Sequence, residues 1–132
     1  MIYGVGIDVI EINRIKNELI KFGESFCKAI FTDNEISYCQ RGSNISVQSQ
    51  CFAGRFAAKE AFFKAVGIGL REGLTWKDIE VHNDEYGKPR FILKNKALEI
   101  ISDKKISNIQ LSISHCKTVA TAVVILEKHD ND

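Results

Sequence analysis

Four charges stand in the most apolar stretch of the chain: Arg55, Lys59, Glu60 and Lys64 lie among Phe52, Phe56, Phe62, Phe63 and Val66. Glu60 and Lys64 are four residues apart, so they neighbour each other on one helix face. A carboxylate on a buried helix must find a cation or a metal, because an unpaired buried charge is prohibitive. An intrahelical Glu60–Lys64 pair meets that need, and so does a metal. A second carboxylate, Asp8, closes the run Gly4-Val5-Gly6-Ile7, whose glycines leave space beside the backbone. Asp8 reads equally as a metal ligand and as the N-cap of the next helix. Asp8 and Glu60 together suffice for one hard divalent cation. Mg²⁺ is commonly bound by one or two carboxylates, with waters and phosphate oxygens completing its shell.

The third group is Ser112-Ile113-Ser114-His115. Hydroxyls and an imidazole at a strand terminus can bind a phosphate, and they also fit a solvent-facing strand with a turn histidine. A nucleophilic Ser–His pair is not expected, because no GxSxG elbow is present. Gly4-Val5-Gly6 lies inside a strand and Gly67-Ile68-Gly69 ends a helix, so neither is a GxGxxG phosphate cradle.

These groups need elements to hold them. Residues 2–9 read as a strand, with Val5, Ile7 and Val9 alternating. Ile12, Ile15, Leu19 and Phe22 make one stripe of a helix that Gly23 stops. A short helical piece follows around Phe26–Phe31. Thr32 and Glu35 then form a capping box that opens a helix towards Tyr38. Residues 41–46 read as a loop. A long helix over roughly 47–66 is apolar on most of its circumference and is expected to be the buried centre of the fold. Residues 70–77 read as irregular. Two alternating runs around Asp84–Pro89 predict a β-hairpin. A helix over 95–104 and two closing strands complete the order β-α-α-α-β-β-α-β-β, with a polar tail from Lys128 that is expected to fray. The class is α+β, a mostly antiparallel sheet packed against a long central helix, in one domain over 1–132. Trp76 is expected to pack.

The 132 residues are 45% hydrophobic, enough for one core without metal or disulfide staples. Eighteen basic against seventeen acidic residues give a net charge of +1, too balanced for a dedicated nucleic-acid binder. No window approaches a membrane span, and the N-terminus has no signal-peptide pattern. A cytoplasmic protein is expected. Cys27, Cys39, Cys51 and Cys116 lack paired CxxC spacing, so they are expected to be reduced thiols and not zinc ligands.

In combination, these residues resemble a known family. Gly6-Ile7-Asp8 followed by Arg14 is similar to the N-terminal signature of the 4′-phosphopantetheinyl transferases. Phe56-Ala57-Ala58-Lys59-Glu60-Ala61-Phe62-Phe63-Lys64-Ala65 resembles their central helix motif, (F/W)xxKEAxxK. Ser112-Ile113-Ser114-His115, followed by an Ala-rich strand, resembles their C-terminal motif. The likeness spans about residues 2–127, and the length points to the short bacterial subgroup, the holo-acyl-carrier-protein synthases.

The resemblance implies that the 4′-phosphopantetheine arm of coenzyme A is transferred to a serine of apo-acyl carrier protein. The products are the holo-carrier and adenosine 3′,5′-bisphosphate, in support of fatty acid biosynthesis. It implies Mg²⁺ on Asp8 and Glu60, Lys64 on the CoA phosphates, and Glu60 or a metal-bound water that it orients as the base. It assigns Arg55, Lys59, Gly67, Gly87, Pro89, Ser114 and His115 to coenzyme A, and Arg14 and Lys21 to the acidic carrier. It implies a homotrimer with active sites between subunits. Eight Phe and a helix apolar on most sides agree with a chain that needs further cover. Two other readings keep the same residues: an α+β binding module for CoA-like or acidic ligands, which has no need of a metal pair, and a metal-dependent nucleotide or phosphate hydrolase.

Overall fold

The computed structural model describes residues 1–70 and 73–129. The elements are β1 (Ile2–Glu11), α1 (Ile12–Phe22), α2 (Glu24–Ile30), α3 (Asp33–Gln40) and α4 (Ile45–Val66), then a 3₁₀ turn (Trp76–Asp78), β2 (Ile79–Asn83), β3 (Pro89–Leu93), α5 (Asn95–Asp103), β4 (Asn108–His115) and β5 (Val119–Glu127). The strands fall in the expected order, but four helices, not three, precede the hairpin. An antiparallel three-stranded sheet runs β1-β5-β4, and β2-β3 is a separate antiparallel hairpin. Part of the irregular 70–77 segment, residues 71–72, lies outside the described residues, as does the tail beyond His129. Lys128 does not fray: its N–H donates to the Met1 carbonyl and its own carbonyl accepts from the terminal amine.

The long helix α4 starts at Asn44, whose side chain accepts the Val47 N–H at 2.9 Å. It stops at Gly67, which takes the left-handed conformation (φ 89°). Its large residues Phe52 and Phe62 are fully covered within the chain. Its small residues let the sheet come close. Gly4 and Gly6 of β1 face the carbonyls of Ala65 and Ala61, and a methyl group at either glycine would collide with that backbone. Gly54 similarly meets Ile113 of β4.

This close approach sets the facing of β1. The residues turned to α4 are Gly4, Gly6, Asp8 and Ile10. The apolar set Val5, Ile7 and Val9 faces outward and is 55%, 60% and 62% exposed. The strand also runs past Asp8 to Glu11, and Asp8 sits mid-strand opposite Ala122. The N-cap alternative for Asp8 is therefore excluded, since Glu11 precedes α1.

Two further corrections concern the core. Cys39 and Cys51 are not reduced thiols but a disulfide that joins α3 to α4; Cys27 and Cys116 are free. Lys59 does not face a ligand. Its ammonium is fully buried, 2.6 Å from Glu35 Oε1, and it donates to the carbonyls of Ile30 and Trp76. Glu35 also accepts the Thr32 N–H, closing the capping box, and the Val81 N–H. Burial lowers the Lys59 pKa from the usual lysine range, and Glu35 opposes that shift. With each partner further hydrogen-bonded, the pair ties α2, α3, α4, the 3₁₀ turn and β2 together.

Candidate functional site

The C-terminal half of α4 carries Glu60 and Lys64 past the inward face of β1, where Asp8 lies. Lys64 pairs with Asp8 and not with Glu60: its Nζ is 3.0 Å from Asp8 Oδ1 and 2.9 Å from the Ile7 carbonyl. The intrahelical pair is thus replaced by one that crosses from helix to sheet. Burial, then the charge of Asp8, push the Glu60 carboxyl above its ordinary pKa, and Lys64 pulls it back. Two carboxylates that repel each other, one of them at the rim of a cavity, suit a divalent cation. Among the described residues no His, Cys, Asp or Glu joins them as a third ligand. The set fits a hard cation that keeps waters and substrate oxygens in its shell.

A cavity of about 460 Å³ opens beside Glu60 and Lys64, bordered by Gly67 and Trp76. Trp76 packs as expected, stacked on Phe56 and edge-on to Phe63. Its indole also forms one wall of this cavity.

A second cleft, of about 320 Å³, gathers Arg55, Gly87, Pro89 and His115. Arg55 is 5% exposed. Its Nη2 donates to Asn83 Oδ1 at 2.5 Å and its Nη1 to Cys51 Sγ at 3.3 Å. Its Cζ lies 4.4 Å from the Tyr38 ring centroid. Its Nε is buried without a partner. Among the described residues no carboxylate pairs with it. Burial lowers its pKa, while the charges of Glu35 and Tyr38 oppose the shift. A buried guanidinium with no acidic partner favours an anion.

The hairpin turn is built for this place. Asp84 Oδ1 accepts the N–H groups of Tyr86 and Lys88, and Gly87 takes φ 84°. Asn83 donates to the Gly87 carbonyl while it accepts from Arg55, so it couples turn to helix. Asn83 and Tyr38 are the functional neighbours that sequence reasoning missed. Neither carries a motif, and only the hairpin register brings Asn83 to Arg55.

Ser114 is not brought into this cleft. Strand alternation turns Ile113 and His115 towards it and sends Ser114 to the opposite, exposed face. Arg14 borders a smaller cavity of about 300 Å³ with Ile10 and Phe56. Lys21, two turns along α1 from Arg14, is exposed with its ammonium 5.2 Å from the Phe22 ring centroid. Lys28 belongs to a different helix, α2, and pairs with Glu24.

The two main sites are not one pocket in a single chain. Arg55 and Glu60 are five residues apart, about 140° around the helix axis at ~100° per residue. The metal-type carboxylates and the anion cleft therefore open on different sides of α4.

Comparison with known proteins places this arrangement. Residues 4–124 match the family model of the 4′-phosphopantetheinyl transferase superfamily. The holo-[acyl-carrier-protein] synthase of Geobacter sulfurreducens is 44% identical over 128 residues, 97% of this chain and 99% of its own. That of Syntrophus aciditrophicus is 43% identical over 127 residues, 96% of this chain and 97% of its own. A crystal structure of the Bacillus anthracis holo-(acyl-carrier-protein) synthase in complex with CoA (3′,5′-ADP) superimposes with a TM-score of 0.80 at 41% identity, covering 98% of this chain and 99% of its own. The Helicobacter pylori synthase in complex with coenzyme A gives a TM-score of 0.80 at 30% identity, covering 93% and 99%. The chain belongs to the 4′-phosphopantetheinyl transferase superfamily, among the holo-[acyl-carrier-protein] synthases.

Proposed function

We propose that the protein transfers the 4′-phosphopantetheine group of coenzyme A to a serine hydroxyl of apo-acyl carrier protein. The products are the holo-carrier and adenosine 3′,5′-bisphosphate, in support of fatty acid biosynthesis in the cytoplasm. The observation that carries this reading is that Lys64, which borders the cavity with Glu60, pairs with Asp8, whose charge also acts on Glu60. Two carboxylates and a lysine suit a pyrophosphate and the metal that accompanies it. The relatives' names and the CoA of two solved neighbours support the same assignment.

Asp8 and Glu60 would hold Mg²⁺, which when bound neutralises charge on the pyrophosphate. Lys64 turns from Asp8 to the phosphates and stabilises the leaving bisphosphate. The serine oxygen attacks the phosphorus on the pantetheine side, and the bond to the bridging oxygen breaks. Glu60, or a water that it orients, takes the serine proton. Arg55 binds the 3′-phosphate, with His115 and the Gly87–Pro89 turn against the nucleotide. Gly67 lets the pantetheine end approach without a side chain. Arg14 and Lys21 offer their charges to the acidic carrier. Lys59 has no part in ligand binding, because its ammonium is saturated inside the core.

The catalytic assembly is a homotrimer with active sites between subunits. The support is different from the one the sequence suggested, since most of α4 is covered within its own chain. An uncovered apolar stripe is the outer face of β1, Val5, Ile7 and Val9. The divided site gives a second reason: a neighbouring copy can set its anion cleft against this chain's carboxylates. Among the described residues no helix is long and apolar enough to cross a membrane.

Incubation of the protein with apo-acyl carrier protein, CoA and Mg²⁺ tests the reading by mass spectrometry of the carrier. A gain of one phosphopantetheine is expected. Release of adenosine 3′,5′-bisphosphate with no carrier gain would make the enzyme a hydrolase.

A further inference from the structure

The Cys39–Cys51 disulfide sits against the arginine of the anion cleft. Arg55 donates to the sulfur of Cys51, one helical turn before it. The same guanidinium stacks on Tyr38, the residue that precedes Cys39. The bridge therefore joins the two neighbours that fix Arg55 from α3 and α4, leaving Asn83 as its third restraint. The N-terminal end of α3 is anchored independently, through Glu35 to Lys59 and Val81. Its C-terminal end, which bears Tyr38 and Cys39, is held to α4 by the disulfide. Cys51 borders the cleft, whereas Cys39 is 1% exposed, so a reductant meets Cys51 first.

We propose that the Cys39–Cys51 pair is a redox-modification site that sets the affinity of the Arg55 cleft for the nucleotide end of coenzyme A. The proposal rests on the reading of Arg55 as the 3′-phosphate ligand. A thiolate of a dithiol reductant attacks Cys51 Sγ, the S–S bond breaks, and Cys39 leaves as a thiolate that takes a proton. The second thiolate of the reductant then attacks the mixed disulfide, and Cys51 departs and is protonated. Two electrons and two protons reach the pair, and the reductant becomes a disulfide. Reduction lets the Cys51 sulfur rotate away from Arg55 and frees the end of α3 that carries Tyr38. Arg55 must then be ordered at the moment of binding, so the disulfide form is the high-affinity form. By linkage, bound nucleotide makes the disulfide harder to reduce by the same factor.

The probe is adenosine 3′,5′-bisphosphate, which has the 3′-phosphate and no thiol of its own to exchange. Its affinity is measured calorimetrically for the Cys116→Ser chain, oxidised and then reduced with excess dithiothreitol. Reduction should weaken binding about fivefold. Cys39→Ser, which opens the bridge and leaves Cys51 beside Arg55, should bind as weakly as the reduced form in either condition. Equal affinity of the oxidised and reduced forms, with Arg55→Ala still weakening binding, would overturn the redox proposal alone. Full affinity in Arg55→Ala would overturn both the proposal and the reading of the cleft beneath it.

Discussion

Lys64 crosses from α4 to β1 and closes on Asp8, 3.0 Å from its Oδ1, while Glu60 one turn earlier is left facing the same carboxylate. Asp8 and Glu60 are the two residues that would hold a divalent cation, and Lys64 is the cation that Asp8 has in this structure. The fold thus brings the helix motif and the strand carboxylate together, although they are far apart in sequence.

Activity should therefore require a divalent cation. Asp8→Ala or Glu60→Ala should lower turnover by at least ~10²-fold, because each removes a ligand charge. Full activity in excess EDTA would refute the metal assignment.

The strands, the hairpin and the charged apolar helix α4 were legible in the sequence, because periodicity, capping residues and charges in an apolar run are local signals. The facing of β1 was not. Val5, Ile7 and Val9 look like a core stripe, yet the core side needs Gly4 and Gly6 so that α4 can approach. Lys59, one position before Glu60, points about 100° away from it on the helix, and spacing alone leaves open whether it steers a phosphate or pairs locally. Only the fold brings Glu35 and two carbonyls around it. The disulfide joins helices whose relative placement no spacing rule supplies. Ser114 and His115 are adjacent in a motif but lie on opposite faces of a strand.

Gly6 gives a direct test of the facing of β1. A methyl group there would meet the Ala61 carbonyl, which is helix backbone and cannot rotate aside. Gly6→Ala should destabilise the fold by roughly 3 kcal/mol in urea unfolding. An unchanged midpoint would mean that β1 and α4 are not in this contact.

Glu60 should cost stability when no metal is present. Its folded pKa is raised above the reference value of 4.5, by burial first and then by Asp8. A raised carboxylate contributes stability that is complete below the unfolded pKa and is lost as pH climbs through the folded one. In EDTA, Glu60→Gln should melt higher than wild type at pH 7, with the difference vanishing towards pH 4. Mg²⁺ should raise the Tm of wild type and not of the variant. A variant that melts lower at pH 7 would contradict the sign.

The outer face of β1 should be the assembly surface. Val5→Asp combined with Val9→Asp puts two charges on an otherwise apolar strand face and should leave monomers by light scattering. An intact trimer would move the interface elsewhere. If sites are shared, mixed oligomers of Glu60→Ala and Arg55→Ala chains should recover activity at low CoA that neither parent has.

Lys64 and Arg55 should separate in their kinetics, although both meet phosphates. Charge on the leaving phosphate grows in the transition state, so the Lys64 ammonium gains there relative to the ground state. The 3′-phosphate keeps its charge throughout transfer, so Arg55 binds both states alike. Lys64→Ala should lower kcat, whereas Arg55→Ala should mainly raise the KM for CoA. Dephospho-CoA, which lacks the 3′-phosphate, extends the test. Wild type should penalise it strongly. Arg55→Ala should penalise it hardly further, because the contact is already gone. Arg55 is fixed by Asn83, Tyr38 and Cys51, and among the described residues no carboxylate forms an ion pair with it, which makes its charge available to a phosphate. Full discrimination against dephospho-CoA by Arg55→Ala would remove Arg55 from that role and pass it to His115 on the same cleft.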